Sequence, residues 1–490
     1  MYDSHSIATD FLKDSSWSFL SSVIVKGLSL ITTVAVARLL GPRDFGIYGV
    51  LISLVYMVSI LGNLGINNAV AKFIPEYDII DSARIKSIIG TTMFIALGES
   101  LLSLIVLFAS ADYLSQHVYH TPVFKTYLLY TTVLIVTALI LNLGNGYLQG
   151  LRLYKDMAVR NFYLSLLALP VTIGLVKFFG VLGAIMSTVI VNAYNLFLIG
   201  RIITRFFSQK GMGGGYGFDR ALAGKIMSYS LPVFLSGLCN VPILWIANTL
   251  LASRWGFGEV GVFNAAYNLA IQVAFITTAI NYPLVPLYSK LLAEGDHSGL
   301  EKLFLKNIKM TCLITLAMAL VMGLNARWII WTLYGPAYGA SEMILVWMVV
   351  SVVLSSINSV IGMLILASGK VWIALMVNAI WTMVVSVFLF LLIPRMGAIS
   401  IAISFVMAYL IHTLVLNLVT SKVFTIRIRD WKILVSSLSL LLVPFLNRFH
   451  NPFISNVSLG IILVILWVLN VNAFEKKVML SFLKKQIYVL

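Results

Sequence analysis

Residues 14–72 read DSSWSFLSSVIVKGLSLITTVAVARLLGPRDFGIYGVLISLVYMVSILGNLGINNAVAK. Two long apolar runs flank a short polar hinge, Arg38-Leu-Leu-Gly-Pro-Arg-Asp-Phe-Gly46. A helix of about 20 mostly apolar residues crosses a bilayer, so the stretch reads as two membrane-spanning helices joined at the hinge. The first run carries one full charge in its middle, Lys26. A charge at bilayer depth costs roughly 2.5–3.5 kcal/mol on insertion scales, which makes Lys26 a functional candidate.

The same pattern fills the chain. Of its 490 residues 60% are hydrophobic and 11% charged, against about 25% charged in a soluble domain. The fold class expected is an all-α polytopic membrane protein. The net charge of +16 does not point to nucleic acid, because the basic residues sit in short loops between apolar runs. Cys239 and Cys312 lie inside apolar runs, as packing residues rather than a disulfide or metal pair. The polar start, MYDSHSIATDFLKDSS, has no basic n-region or small-residue cleavage site. The first helix is therefore expected to be retained. No HExxH, GxSxG, P-loop or paired carboxylates occur, and no external loop is long enough to hold a catalytic centre. The chain is read as a non-enzyme without cofactor or metal.

Fourteen spans are expected. The first six are Trp17–Val36, Ile47–Val70, Ile85–Ala109, Lys125–Tyr147, Val159–Phe178 and Val181–Ile203. A glycine-rich loop, Gln209 to Gly217, precedes Ile226–Leu251, Val260–Leu284, Phe304–Ile330, Ala340–Ala367, Val371–Ile393 and Ile399–Thr420. The pair Trp431–Phe449 and Ile454–Phe474 follows and is the shortest. With the N-terminus inside, 25 Lys and Arg fall on the inner side and 8 on the outer. The positive-inside rule then places both termini in the cytoplasm of a cell-membrane protein.

A repeat organises the spans. Ala37-Arg-Leu-Leu-Gly-Pro-Arg-Asp-Phe-Gly-Ile-Tyr48 aligns with Ala252-Ser-Arg-Trp-Gly-Phe-Gly-Glu-Val-Gly-Val-Phe263. Gly41 falls on Gly256, Asp44 on Glu259 and Gly46 on Gly261, and further matches pair Gly183 with Gly397 and Asn161 with Asn378. Six spans therefore repeat as six, in the same orientation, about a pseudo-two-fold axis along the membrane normal. The expected organisation is an N-lobe at 1–206, a cytoplasmic linker at 207–225, a C-lobe at 226–421, and a helix pair with a basic tail at 422–490.

Polar stripes mark the candidate site. Ser15, Ser18, Ser22, Lys26, Ser29 and Thr33 recur every three or four residues and share one face of the first helix. Tyr56, Asn63 and Asn67 do so in the second, Ser236 and Asn240 in the seventh, and Asn264, Asn268 and Gln272 in the eighth. Such residues singly glue helices together. On four repeat-related helices, one holding a lysine, they are read as lining a hydrated central cavity. Lys26 has a second reading, an ion pair with Glu99 of the third helix. Glu99 in turn is a candidate for binding a coupling ion, Na+ or H+. His412 reads as a hydrogen-bonded core histidine. Arg38 and Arg254, at outer helix ends, read as interfacial anchors or as an outer gate.

The hinge from Ala37 to Gly46, the two six-helix lobes and Tyr147-Leu-Gln-Gly150 resemble polysaccharide and oligosaccharide repeat-unit flippases. These belong to the multidrug/oligosaccharidyl-lipid/polysaccharide exporter superfamily. The resemblance implies a V-shaped, alternating-access transporter that moves polyprenyl-(pyro)phosphate-linked oligosaccharide from the inner to the outer leaflet. Its partners would be that substrate, membrane lipid, and glycosyltransferases or a polymerase of the same pathway. The terminal helix pair is similar to that of the lipid II flippase subgroup, where it forms a groove for the lipid tail. The charge logic agrees: a phosphate anion needs a cation in a low-dielectric site, and sugar hydroxyls suit Ser, Asn and Gln. The alternative is a cation-coupled multidrug exporter, which would want an acid in the first or seventh helix; neither span contains one.

Overall fold

The structure is a computed structural model that describes residues 4–62, 64–80, 83–210, 215–281, 284–424 and 426. The described residues are overwhelmingly helical, with no strand among them. Among the described residues, eight helices are long and apolar enough to cross a membrane. The protein is an all-α polytopic membrane protein. The terminal pair expected at 431–449 and 454–474 lies outside the described residues.

Helix α1 (Ser4–Gly62) holds the first two expected spans, and Gly41, with φ 73° and ψ 173°, breaks it between them. A left-handed φ favours glycine, and Pro42 next to it suits the first turn of a new helical segment. The second span is shorter than expected. It stops at Gly62, the chain turns through Leu64 and Gly65 at positive φ, and α2 (Ile66–Ile80) begins. Its pattern explains the turn. Ile66, Ala69, Val70, Phe73 and Ile74 are buried at helical spacing, while Lys72 and Glu76 stay exposed. The buried stripe packs with Ile85 and Ile88 of α3 (Ala83–Tyr113) and with Tyr147 and Leu148 of α4 (Val123–Gly150). Helix α5 (Tyr154–Lys210) joins the fifth and sixth spans at Gly180, φ 56°.

Asp219 caps α6 (Arg220–Asn240) by accepting from the backbone N–H groups of Ala221 and Leu222. The expected seventh span is two pieces, because Pro242 supplies no N–H and starts α7 (Pro242–Trp255). Then come α8 (Phe257–Asn281), α9 (Leu284–Glu294), α10 (His297–Leu324), α11 (Ala326–Leu333), α12 (Ser341–Ala367), α13 (Val371–Met396) and α14 (Ile399–Val423).

The backbone refines the repeat. Gly41 and Gly256, 215 residues apart, are both left-handed. So are Gly180 and Gly397, at φ 56° and 61°. Their separation of 217 equals that of Asn161 and Asn378. Gly397 therefore corresponds to Gly180 and not, as the shared Gly-Ala-Ile suggests, to Gly183. Gly183 serves a close approach instead: a Cβ there would lie 2.0 Å from the Leu175 carbonyl oxygen.

Contacts group the described residues into two compact units. The first takes in those of Met1–Ala265, Leu333–Tyr338 and Leu389–Ile401, the second those of Ala266–Thr332, Gly339–Phe388 and Ala402–Leu490. Within the second, polar bonds tie the helices: Asn307 Nδ2 donates to Asn281 Oδ1 and Asn281 Nδ2 to the Ser359 hydroxyl, both at 3.1 Å.

Candidate functional site

The hinge and its repeat copy meet inside the first unit, backbone on backbone. A Cβ on Gly46 would stand 1.7 Å from the carbonyl oxygen of Phe257, and one on Gly261 1.9 Å from that of Pro42. Phe257 is the repeat counterpart of Pro42, and Gly261 of Gly46, so the contact is reciprocal about the pseudo-two-fold axis. Only residues without a side chain permit this approach. Beside it, Asn264 lies against Gly49.

Two loops lock onto this junction. After α3 the chain makes a π-helical turn, Leu114–Val118, and then presents Tyr119. The Tyr119 hydroxyl shares a 2.8 Å hydrogen bond with the Thr249 hydroxyl of α7, and its ring stacks on Phe257. The corresponding loop after α11 presents Tyr338 from the short helical turn Pro336–Tyr338. The Tyr338 hydroxyl donates to the Ala37 carbonyl at 2.7 Å, and its ring meets Phe45 edge-on. Each loop thus fastens the other repeat's hinge. The turn between α13 and α14 joins them: Glu259 Oε2 accepts from the Ala398 N–H at 3.1 Å, and Trp255 Nε1 donates to the Ile393 carbonyl at 2.8 Å. Glu259 therefore acts as a helix cap there.

The residues expected at the site fall into distinct places. Lys26 and Ser29 are exposed, on a half of α1 where Val23, Ile24 and Ile31 are exposed as well. Arg38 is exposed at the hinge, and its Nε donates to the Leu333 carbonyl at 2.6 Å. Arg254 is exposed in the last turn of α7, and Asn240 is exposed at the end of α6. Asn67 is half-buried and lies against Gly146 of α4. Asn264 is buried, and its amide donates to Asn248 Oδ1 at 3.4 Å and to the Val260 carbonyl at 2.9 Å. Its side chain thus holds α7 to α8. Gln272 Nε2 donates back to the Asn268 carbonyl at 3.1 Å, both side chains being half-buried. Glu99 is half-buried with one carboxylate oxygen, Oε1, lacking a hydrogen-bond partner. The side chains of Ser22 and Ser236, and all of Asn63, lie outside the described residues. His412 is buried, and its Nδ1 lies 3.2 Å from the Asn358 amide nitrogen.

Sequence reading missed Tyr119, Tyr338 and Arg160. The tyrosines come from loops with no periodic pattern. Arg160 looks like a loop charge at the edge of the fifth span. However, α5 starts at Tyr154, and Arg160 is buried at 4% exposure between Asn145 and Asn161. Among the described residues no cluster of His, Cys, Asp or Glu could hold a metal.

Comparison with known proteins agrees with this architecture. The chain is 22% identical over 410 residues to the lipid III flippase of Escherichia coli K12, covering 82% of this chain and 95% of that protein. It is 21% identical over 427 residues to the lipopolysaccharide biosynthesis protein WzxC of the same organism, covering 84% and 81%. Among solved structures it matches the lipid II flippase MurJ in an inward closed conformation, with a TM-score of 0.72 at 16% identity over 94% of this chain and 99% of that one. An inward-facing multidrug resistance MATE transporter matches with a TM-score of 0.64 at 16% identity, covering 87% and 98%. These structures share the fold. The profile described as polysaccharide biosynthesis protein matches residues 11–292, more than half of the chain. The chain belongs to the polysaccharide biosynthesis protein family.

Proposed function

We propose that the protein is a flippase, which moves polyprenyl-(pyro)phosphate-linked oligosaccharide from the inner to the outer leaflet of the cell membrane by alternating access. It works as a transporter and not as an enzyme. The carrying observation is the contrast along α1. At Gly46 its backbone is clamped against Phe257 with no room for a methyl group, whereas the half that bears Lys26 and Ser29 is left uncovered. One end sealed and the other open is what alternating access requires of a helix lining the path. Lys26 lies 12 residues before Arg38, about 18 Å along a helix, near the depth of the bilayer centre. A cation there suits the phosphate of a lipid carrier.

In this reading Lys26 holds the phosphate, and Ser22, Ser29, Asn63, Asn67, Asn240, Asn268 and Gln272 serve the sugar. Asn264 supports them by fixing α8. Arg38 and Arg254 flank the outer gate, and Glu99 is the place for a coupling ion. Both termini face the cytoplasm, with lobes at 1–206 and 226–421, and the chain works alongside glycosyltransferases of its pathway. The sequence relatives named as a lipid III flippase and WzxC support the substrate class.

The test is reconstitution in liposomes with fluorescent polyprenyl-linked sugars, with leaflet exchange measured with and without ion gradients. A second reading, a cation-coupled drug exporter, draws on the MATE-like fold and the unpartnered Glu99 oxygen. Transport of cationic dyes without exchange of lipid-linked sugars would establish that reading instead.

A further inference from the structure

Arg160 is the most deeply buried cation among the described residues, at 4% exposure. A guanidinium carries five N–H donors. Its Nη2 donates to Asn145 Oδ1 at 2.8 Å and to Asn161 Oδ1 at 3.0 Å. Both acceptors are neutral. Its Nε and Nη1 are buried and have no hydrogen-bond partner. A buried charge is ordinarily paired, because its desolvation is costly and amide oxygens offset only part of it.

The repeat shows that the architecture does not require this arginine. At the offset of 217 that relates Asn161 to Asn378 and Gly180 to Gly397, Arg160 corresponds to Val377. Val377 is also buried, at 3% exposure. The position accepts an ordinary apolar core residue in one copy and holds an uncompensated cation in the other. Arg160 also sits six residues into α5 and 20 before its hinge, Gly180, so it lies about 30 Å from the hinge along the helix. That places it near the membrane surface remote from the hinge, at the depth of lipid head groups.

We infer that Arg160, oriented by Asn145 and Asn161, is the anchor of an anion subsite that takes a phosphate group. The two asparagine oxygens fix one nitrogen of the guanidinium. The remaining N–H groups are left for phosphate oxygens, the acceptors that arginine favours. The phosphate has two sources of the same chemistry at this depth: the head group of an anionic phospholipid, or a free or lipid-carried pyrophosphate. The site is separate from Lys26 and does not depend on which cargo is moved.

The test uses the full-length protein in maltoside micelles, which carry no phosphate. Thermal unfolding is followed with added inorganic pyrophosphate, against chloride at equal ionic strength, and separately with added phosphatidylglycerol. The wild type should gain about 2–5 °C in Tm in at least one arm, and the responding arm names the source. Arg160→Met should lose most of that gain. Where Arg160→Met does not accumulate, Arg160→Lys decides, and should need about tenfold more ligand for half the effect. No gain in either arm for the wild type overturns the site. So does an undiminished gain in Arg160→Met, an unchanged midpoint in Arg160→Lys, or a gain lost only with Lys26→Ala, which would put the anion at Lys26.

Discussion

Gly46 and Gly261 are repeat counterparts, and each lies against the backbone of the other's hinge. Added methyl groups would come within 1.7 Å of the Phe257 oxygen and 1.9 Å of the Pro42 oxygen. Neither clash involves a side chain that can turn away, so one helix must move. Gly46→Ala or Gly261→Ala should therefore destabilise the clamped arrangement by roughly 1–3 kcal/mol. The alternative, open at the hinge face, should gain population. Labelling of a cysteine at Arg43 by an impermeant reagent should rise in both variants, and flipping should fall. Unchanged labelling and transport would mean that the clamp is not part of the cycle.

Tyr338 and Tyr119 fasten the same junction with hydroxyl groups. The Tyr338 hydroxyl is buried and donates to the Ala37 carbonyl, which Tyr338→Phe leaves without that donor. The loss should be about 1 kcal/mol and should open the hinge face in the same direction as Gly46→Ala. Tyr119→Phe breaks a weaker tie, hydroxyl to hydroxyl, and should have the smaller effect. Tm and the Arg43-cysteine labelling rate together check the ranking; an equal or inverse order would contradict it.

Much of this was legible in the chain. The hinge glycines could be found because Gly41 and Gly46 recur as Gly256 and Gly261 at a fixed offset, and because positive φ and close approach both select glycine. Periodicity also put Asn264, Asn268 and Gln272 on one face of their helix. It could not name the neighbour of Asn264, since a helical stripe gives direction and not what stands opposite; that neighbour is Asn248. Matching Gly183 to Gly397 failed for a different reason. Three identical residues outweighed conformation, and only φ shows that Gly180 makes the bend. Arg160 was hidden because burial near a helix end depends on the residues of α4 that cover it. Tyr119 and Tyr338 act across loops, where no repeat pattern guides the reading.

Asn264 separates structural from substrate roles. Its amide bonds Asn248 and the Val260 carbonyl at a buried position. Asn264→Ala should lower stability by about 1–3 kcal/mol through unsatisfied partners. Gln272→Ala removes a local bond at a half-buried site, so Tm should hardly move while apparent affinity for the lipid-linked sugar falls. Thermal unfolding and concentration-dependent flipping of both variants check this. A stable Asn264→Ala with weakened substrate affinity would restore that residue to the substrate set.

The proposed topology, with both termini cytoplasmic, rests on 25 inner against 8 outer basic residues. Tags at either end should be protected from external protease in intact cells, and a cysteine at Gly214 should resist impermeant reagents. Arg160, whose burial removes it from the loop count, leaves the bias intact. External labelling at Gly214 would invert the assignment of both gates.

Lys26 is the sharpest test of the proposed transport. It lies in the uncovered half of α1, too far from either helix end for its side chain to reach the surface easily. The cation therefore calls for water, an acid or an anionic substrate. If it holds the carrier's phosphate, Lys26→Ala should abolish flipping at normal protein level, because a neutral residue is easier to insert. Lys26→Arg should keep part of the activity, and Lys26→Glu should be worse than alanine through repulsion. An ion pair with Glu99 gives the opposite pattern. Lys26→Ala would then lower the protein level, and Glu99→Gln in the same chain would restore it. Membrane protein level and liposome flipping, measured on the same four variants, separate the two, and full flipping by Lys26→Ala at normal level would exclude both.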